Sequence, residues 1–211
     1  MRSADIITLF RTFLVVVVLY LVLIKYDPVI SILIFFIATA LDGIDGYFAI
    51  REYSSGRVSF TTYLKAAISK DRIAKAHVAQ YKKKAITNAR FGPRMDIAGD
   101  RIAEYSMWVI FTFVGIVPIW IVIAVIIIHS FADAMMGARG TSSGMKTKFG
   151  KIAYSSNISR ALINIFKIST FGYLILEYIA GWNSLIGYVL IGMLFGIILI
   201  RGIAQIYDSV L

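Results

Sequence analysis

The sequence predicts an all-α integral membrane protein, a bundle of six transmembrane helices with a basic, amphipathic cytoplasmic insertion. Composition is the first indication: 59% of the 211 residues are hydrophobic and the mean hydropathy is +0.78, whereas soluble domains are usually about half apolar or less. The second is a set of six apolar runs, each of roughly 20 residues, the length that a helix needs to cross a bilayer. The third is that basic residues concentrate in two of the loops between these runs.

The helices are expected at about 4–25, 28–50, 93–115, 117–137, 158–180 and 183–206. They form a single membrane domain over 1–211, with the insertion at 52–91. The connections after the first, third and fifth runs are short, and those after the second and fourth are long and basic. Because basic loops stay on the cytoplasmic side, both termini and both long loops are expected in the cytoplasm, in a multi-pass protein of the plasma membrane.

Composition also excludes several kinds of function. The net charge is +10, and eleven of the 22 basic residues fall within 51–94. A cytoplasmic loop that faces anionic lipid accounts for this charge, and nucleic-acid binding is not expected of so apolar a chain. The absence of cysteine excludes disulfides, thiolate nucleophiles and zinc-thiolate sites.

The insertion contains the pattern of an amphipathic helix. Its apolar residues recur at positions i, i+3, i+4, i+7 and i+8, namely Phe60, Tyr63, Leu64, Ala67 and Ile68. Basic residues fall largely off that stripe, so the helix is expected to lie on the membrane surface. A second helix is expected to follow and to end near Arg90. The sequence leaves open whether the insertion covers a site or binds lipid.

Four aspartates at the ends of apolar runs point to a metal site. Asp42 and Asp45 are three residues apart, and Asp96 and Asp100 are four apart, so each pair shares one face of a helix. An ionisable group in a membrane segment is by default a functional hypothesis. Four carboxylates brought together are tolerable only with cations between them or with protons on some of them. Ligands that are all oxygen favour Mg²⁺ or Mn²⁺.

Such a site at a membrane edge suits phosphoryl chemistry, because two metals can bridge and neutralise a pyrophosphate. One carboxylate can take the proton of an attacking hydroxyl, and the apolar bundle suits a substrate with a lipid tail. Asp5, Thr8 and Arg11 open the first run at three-residue steps. They are either a helix cap with a snorkelling arginine or the lining of a polar cytoplasmic cavity.

The two acidic motifs resemble the signature of the CDP-alcohol phosphatidyltransferase family. Asp42-x-x-Asp45-Gly46-x-x-Ala49 is followed by Gly92-x-x-x-Asp96-x-x-x-Asp100, so seven positions match with the spacing inside each half. The sequence departs from the family in two respects: Ile50 stands where an arginine is usual, with Arg51 one residue later, and the two halves lie much farther apart. The resemblance implies a six-helix layout and transfer of a phosphatidyl-type group from a CDP-linked lipid to an alcohol, with release of CMP.

The resemblance also implies site residues. Asp42, Asp45 and Asp96 would be metal ligands, and Asp100 would be the general base and a further ligand. The implied cofactors are two divalent cations, Mg²⁺ or Mn²⁺, and family members are commonly homodimers. The residues implied on the side of the CDP group are Thr8, Arg11, Gly46, Ala49, Arg51 and Gly92.

Three arginines bear on the acceptor: Arg139, Arg160 and Arg201. They lie in the loop after the fourth run, at the start of the fifth and at the cytoplasmic end of the sixth. Family members that use inositol phosphate place basic residues at similar points. The resemblance therefore favours a phosphorylated acceptor, such as inositol phosphate or glycerol 3-phosphate, over serine or choline. The lipid is either diacyl or ether-linked.

Other functions also fit parts of the pattern. An intramembrane prenyltransferase would use paired aspartates and Mg²⁺ to bind a pyrophosphate. A small transporter or ion-binding membrane protein would use carboxylates as an ion site, and an inactive family member would keep the motif without the reaction. His129 and Asp133, four residues apart, form either a metal pair or a hydrogen bond between helices.

Overall fold

The computed structural model describes residues 3–54, 57–68, 73, 76–81, 92–139 and 145–210. All regular structure in these ranges is helical, which confirms the predicted all-α class for them. The longer helices are α1 (Ser3–Leu23), α2 (Pro28–Tyr53), α3 (Phe60–Ile68), α4 (Gly92–Phe113), α5 (Ile119–Arg139), α6 (Asn157–Ala180) and α7 (Ser184–Val210). A helical turn at Lys148–Gly150 and a π-helix at Lys151–Ser155 precede α6.

Within these described ranges, four helical stretches are long and apolar enough to cross a membrane: Asp5–Leu23, Pro28–Tyr53, Lys148–Ala180 and Ser184–Val210. A shorter apolar helix covers Ile119–Met135. Helix α4, which begins with the second acidic motif, is less apolar than these. The structure therefore supports several membrane-crossing helices, and the count of six stays a prediction.

The turn between α1 and α2 shows why the chain reverses there. The Oδ1 atom of Asp27 accepts hydrogen bonds from the N–H groups of Val29 and Ile30, each at 2.9 Å. Pro28 occupies the first position of α2, where a helix does not use the missing N–H. At the short connection between α6 and α7, Gly181 caps the end of α6 with φ of 70°, a left-handed conformation that glycine adopts without strain.

Within the insertion, α3 confirms a helix at the predicted amphipathic stripe. Residue 73 and residues 76–81 are also helical, in the region where a second helix is expected. Residues 69–72, 74–75 and 82–91 lie outside the described part of the chain. The predicted position of the insertion on the membrane surface stays a prediction.

The chain divides into two compact units. The first comprises Met1–Val18 and Leu33–Glu104, and the second comprises Leu19–Ile32 and Tyr105–Leu211. All four motif aspartates and the insertion fall in the first unit, and the three arginines predicted to bind the acceptor fall in the second.

Aromatic side chains form the centre of the second unit. The ring of Phe171 lies 5.2 Å from that of Trp108 and 6.4 Å from that of Phe111, between ring centroids. All three are buried, as are Leu174 and Ile198. Because lipid tails are as apolar as these side chains, close packing rather than exclusion of water holds such helices together.

Candidate active site

Three of the four motif aspartates meet in the first unit. Asp42 on α2 and Asp96 and Asp100 on α4 each place one carboxylate oxygen within 4.8 Å of the others. Oxygens bind hard divalent cations at about 2.0–2.6 Å, so two oxygens on one ion lie no more than about 4–5 Å apart. The donor set therefore fits a hard divalent cation.

The helical register explains how α4 contributes two of these ligands. Asp96 and Asp100 are one turn apart, so they present their carboxylates on the same face. Arg101 and Glu104, on the following turn, form an ion pair in which Nη1 and Oε2 are 3.3 Å apart. The side chain of Asp45, the fourth predicted ligand, lies outside the described residues.

Arg11 of α1 lies against the cluster. Its side chain is only 4% exposed and forms ion pairs with Asp42 and Asp100. Its Nη2 donates to Oδ1 of Asp100 at 2.8 Å. Asp5 and Thr8, on the same helix, are also buried. Arg11 is therefore a buried counter-charge of the cluster rather than a snorkelling side chain.

A glycine that no sequence motif had pointed to allows this approach. Gly99 lies on α4 directly before Asp100, and a Cβ atom there would be 2.7 Å from Cγ2 of Thr8 and 3.1 Å from Nη2 of Arg11. A larger residue would have to displace the side chain of Thr8 and would crowd the guanidinium of Arg11. The position of Gly99 between two motif aspartates could have indicated a close contact at this point. The sequence alone does not predict that the contacting residues lie on α1.

The other residues predicted on the CDP side have different environments. A Cβ atom at Gly46 would lie 3.0 Å from the hydroxyl of Tyr63 in the insertion. Ala49 is half-buried, and Arg51 is exposed in the last turn of α2. Gly92 begins α4, but its surroundings lie outside the described residues.

The arginines predicted to bind the acceptor also differ from one another. Arg160 is exposed in the first turn of α6. Arg201 is half-buried, and its Nη1 donates to the carbonyl oxygen of Tyr154 at 3.3 Å and to the hydroxyl of Ser159. Its guanidinium carbon is 4.7 Å from the centroid of the Tyr154 ring. Arg139 ends α5, and its side chain lies outside the described residues.

A buried carboxylate in the second unit was missed by sequence reasoning. Asp208 near the end of α7 is 0% exposed, and its Oδ1 accepts from Lys146 N at 3.0 Å, from Thr147 N at 2.6 Å and from Thr147 Oγ1 at 2.7 Å. These bonds fix the segment that leads into the π-helix and α6. His129, for which two roles were open, is buried and stacks on Tyr105 with ring centroids 5.9 Å apart.

Residues 1–55 match the family model described as CDP-alcohol phosphatidyltransferase. Over these residues the chain is similar to the CDP-alcohol phosphatidyltransferases. The match confirms the resemblance drawn from the motif, and its 55 residues include Arg11, Asp42 and Asp45. Members of the family are membrane-embedded transferases that pass a phosphatidyl group from a CDP-alcohol to an alcohol. No curated protein and no solved structure matches the chain.

Proposed function

We propose that this transferase moves a phosphatidyl-type group, diacyl or ether-linked, from a CDP-linked lipid to a phosphorylated alcohol, such as inositol phosphate or glycerol 3-phosphate, and releases CMP. The observation that carries the proposal is the meeting of Asp42, Asp96 and Asp100, which come from separate halves of one motif. The family match on the first half supports the same assignment.

The metal ligands would be Asp42, Asp45, Asp96 and Asp100. Two bound Mg²⁺ or Mn²⁺ ions would neutralise the pyrophosphate of the CDP-linked lipid and stabilise the departing CMP. Arg11 keeps Asp42 and Asp100 side by side through its two ion pairs. Part of the site is thereby organised before substrate binds, which lowers the cost of arranging it in the transition state.

Asp100 would act as the general base for the acceptor. Its Oδ1 is engaged by Arg11, and because a carboxylate accepts at both oxygens, Oδ2 can take the proton of the acceptor hydroxyl. The hydroxyl oxygen then bonds to the phosphorus on the lipid side. The bond from this phosphorus to the bridging oxygen breaks, and its electron pair leaves with CMP.

The CDP group would be held by Thr8, Arg11, Gly46, Ala49, Arg51 and Gly92. The phosphate of the acceptor would be held by Arg139, Arg160 and Arg201, because planar guanidinium groups bind phosphate through paired hydrogen bonds. The side chain of Arg160 is exposed and can reach the phosphate directly. Arg201 binds backbone carbonyl groups, so it would also position the segment that precedes Arg160.

The six-helix layout, the homodimer and the location in the plasma membrane belong to the same proposal. The basic residues of the two long loops support a site that faces the cytoplasm. Four helical stretches with the length and composition of membrane spans support the embedding.

The test is release of CMP by the purified protein in detergent with Mn²⁺, CDP-diacylglycerol and, in separate reactions, inositol phosphate, glycerol 3-phosphate, serine and choline. Release with a phosphorylated acceptor, and little with the other two, is expected. CMP release with serine or choline alone would overturn the acceptor class. No release with any acceptor, combined with consumption of prenyl pyrophosphate, would replace the proposal by the prenyltransferase.

A further inference from the structure

The insertion folds back onto the helix that contains the first acidic motif. After α2, the hydroxyl of Ser54 donates to Arg51 O at 3.1 Å and accepts from Val58 N at 3.3 Å. The hydroxyl of Ser59 accepts from Thr62 N at 3.2 Å, which is the contact of a helix N-cap. The chain is thus reversed by specific hydrogen bonds, and α3 begins at a defined place.

A small core fastens this arrangement. Ile50 of α2 is buried together with Val58, Ala66 and Val78 of the insertion, and Tyr63 and Tyr81 pack against the group. Burial of a valine or isoleucine side chain contributes about 1.5–3 kcal/mol. The insertion therefore docks on α2 as a folded element.

Aromatic rings extend the contact toward the site. Tyr47 of α2 is buried, and its ring centroid is 5.2 Å from that of Phe60 and 5.7 Å from that of Tyr63. Aromatic pairs at such separations are favourable and have defined geometry. The ring of Tyr63 is therefore held from one side by α2 itself.

The hydroxyl of Tyr63 reaches the motif. A Cβ atom at Gly46 would lie only 3.0 Å from it, so the hydroxyl occupies the space that a side chain at position 46 would fill. Gly46 is four residues after Asp42 and shares its helix face. The insertion thus places a hydrogen-bond donor one helical turn from the carboxylate cluster.

We propose that Tyr63 is a substrate-binding residue, and that its hydroxyl donates a hydrogen bond to the CDP group of the lipid substrate. This inference rests on the proposed function. A phenolic hydroxyl is uncharged and can donate to an anionic phosphate or a ribose oxygen. It adds no negative charge beside Asp42. The insertion would then complete the nucleotide side of the site.

The experiment compares Tyr63→Phe with Tyr81→Phe, the same chemical change in a tyrosine that packs on the same core. Tyr63→Phe should raise the KM for CDP-lipid, measured as a mole fraction in mixed micelles, by about tenfold. The kcat and the KM for the acceptor should stay unchanged, because a contact made equally in ground and transition states is lost. Binding of CDP with Mg²⁺, followed by calorimetry, should weaken by the same factor. Tyr81→Phe should alter none of these.

A double-mutant cycle tests the geometry separately. Gly46→Ala places its Cβ against the Tyr63 hydroxyl, and Tyr63→Phe removes that oxygen. The loss of CDP binding caused by Gly46→Ala should therefore be smaller in the Tyr63→Phe background. Equal losses in both backgrounds, or unchanged CDP affinity in Tyr63→Phe, would overturn the inference. Failure of the proposed function is a distinct result, because the wild-type protein itself would then release no CMP, or would release it only with serine or choline.

Discussion

Each of the two units contains a buried charged side chain, and the partners of the two charges differ in kind. In the first unit, Arg11 pairs with Asp42 and Asp100, whose side chains are 40% and 45% exposed. In the second unit, Asp208 is bound by two backbone N–H groups and one hydroxyl. Exposed carboxylates can exchange partners with solvent, metal or substrate, whereas backbone groups cannot leave the fold. The pairing of Arg11 can therefore change when a ligand binds, whereas the hydrogen bonds of Asp208 stabilise the fold.

Arg201, which we propose also to hold the acceptor phosphate, resembles Asp208 in that its partners are groups of the fold itself. Its partners are carbonyl oxygens and a hydroxyl of the π-helix and of α6, and π-helices often occur at functional sites. Asp208 and Arg201 together hold the segment from Lys146 to Ser159. The exposed Arg160 follows directly, so a rigid support carries a side chain that can reach a ligand.

The largest expected effect is that of Asp100→Asn, which removes the charge of one of the two carboxylates that pair with Arg11. Asparagine keeps the shape of aspartate but cannot take a proton, so CMP release should fall about 100-fold or more. CDP-lipid binding should persist. Asp133→Asn on α5 is the matched control and should retain activity. Full activity in Asp100→Asn would remove this residue from the role of base.

Arg11→Ala sharpens the comparison by removing the counter-charge. Asp42 and Asp100 would then repel each other, so CMP release should fall by about 10- to 100-fold and the protein should melt at a lower temperature. The drop in Tm should be larger in EDTA than in Mg²⁺, because a bound cation replaces the lost charge. Arg11→Lys, which keeps the charge without the planar fork, should be intermediate. Equal drops in EDTA and Mg²⁺ would contradict an exchangeable pairing.

Asp208→Ala tests the structural charge. It leaves two backbone N–H groups and a hydroxyl without their acceptor, so the free energy of unfolding should fall by about 2–4 kcal/mol. Asp27→Ala, which removes an exposed cap of α2, should cost about 1 kcal/mol. Thermal unfolding in detergent, followed by circular dichroism, measures both. If the two variants lost the same free energy of unfolding, burial would not explain the contribution of Asp208 to stability.

The contrast between Asp42 and Asp208 shows what sequence can predict. Asp42 stands at the end of an apolar run and forms part of a spaced motif, so its place beside Asp96 and Asp100 was predictable from local pattern. Asp208 is one aspartate in a helical turn, and the partners that define it are 61 and 62 residues away. Contacts at that separation depend on how helices pack, and hydrophobic periodicity does not encode them.

Contacts between residues far apart in sequence also explain why the neighbours of Gly46 and Gly99 were not predicted. The family resemblance placed Gly46 on the CDP side, but it did not indicate that the hydroxyl of Tyr63, from the insertion, lies against this glycine. Gly99 was not singled out because its neighbour, Thr8, lies on a helix far away in sequence. Helix existence, class and the carboxylate pairs followed from residue spacing, whereas the identity of each neighbour across helices did not.

Arg160→Ala is expected to have the smallest effect and completes the comparison within the second unit. Arg160 is exposed, so its removal should leave Tm unchanged and raise the KM for a phosphorylated acceptor by about tenfold, the value of one charge-assisted contact. The KM for CDP-lipid should not move. Arg57→Ala, an exposed arginine of the insertion, is the control for loss of charge. Equal increases in both KM values would argue against acceptor binding, because a residue that holds only the acceptor phosphate cannot affect the donor to the same extent.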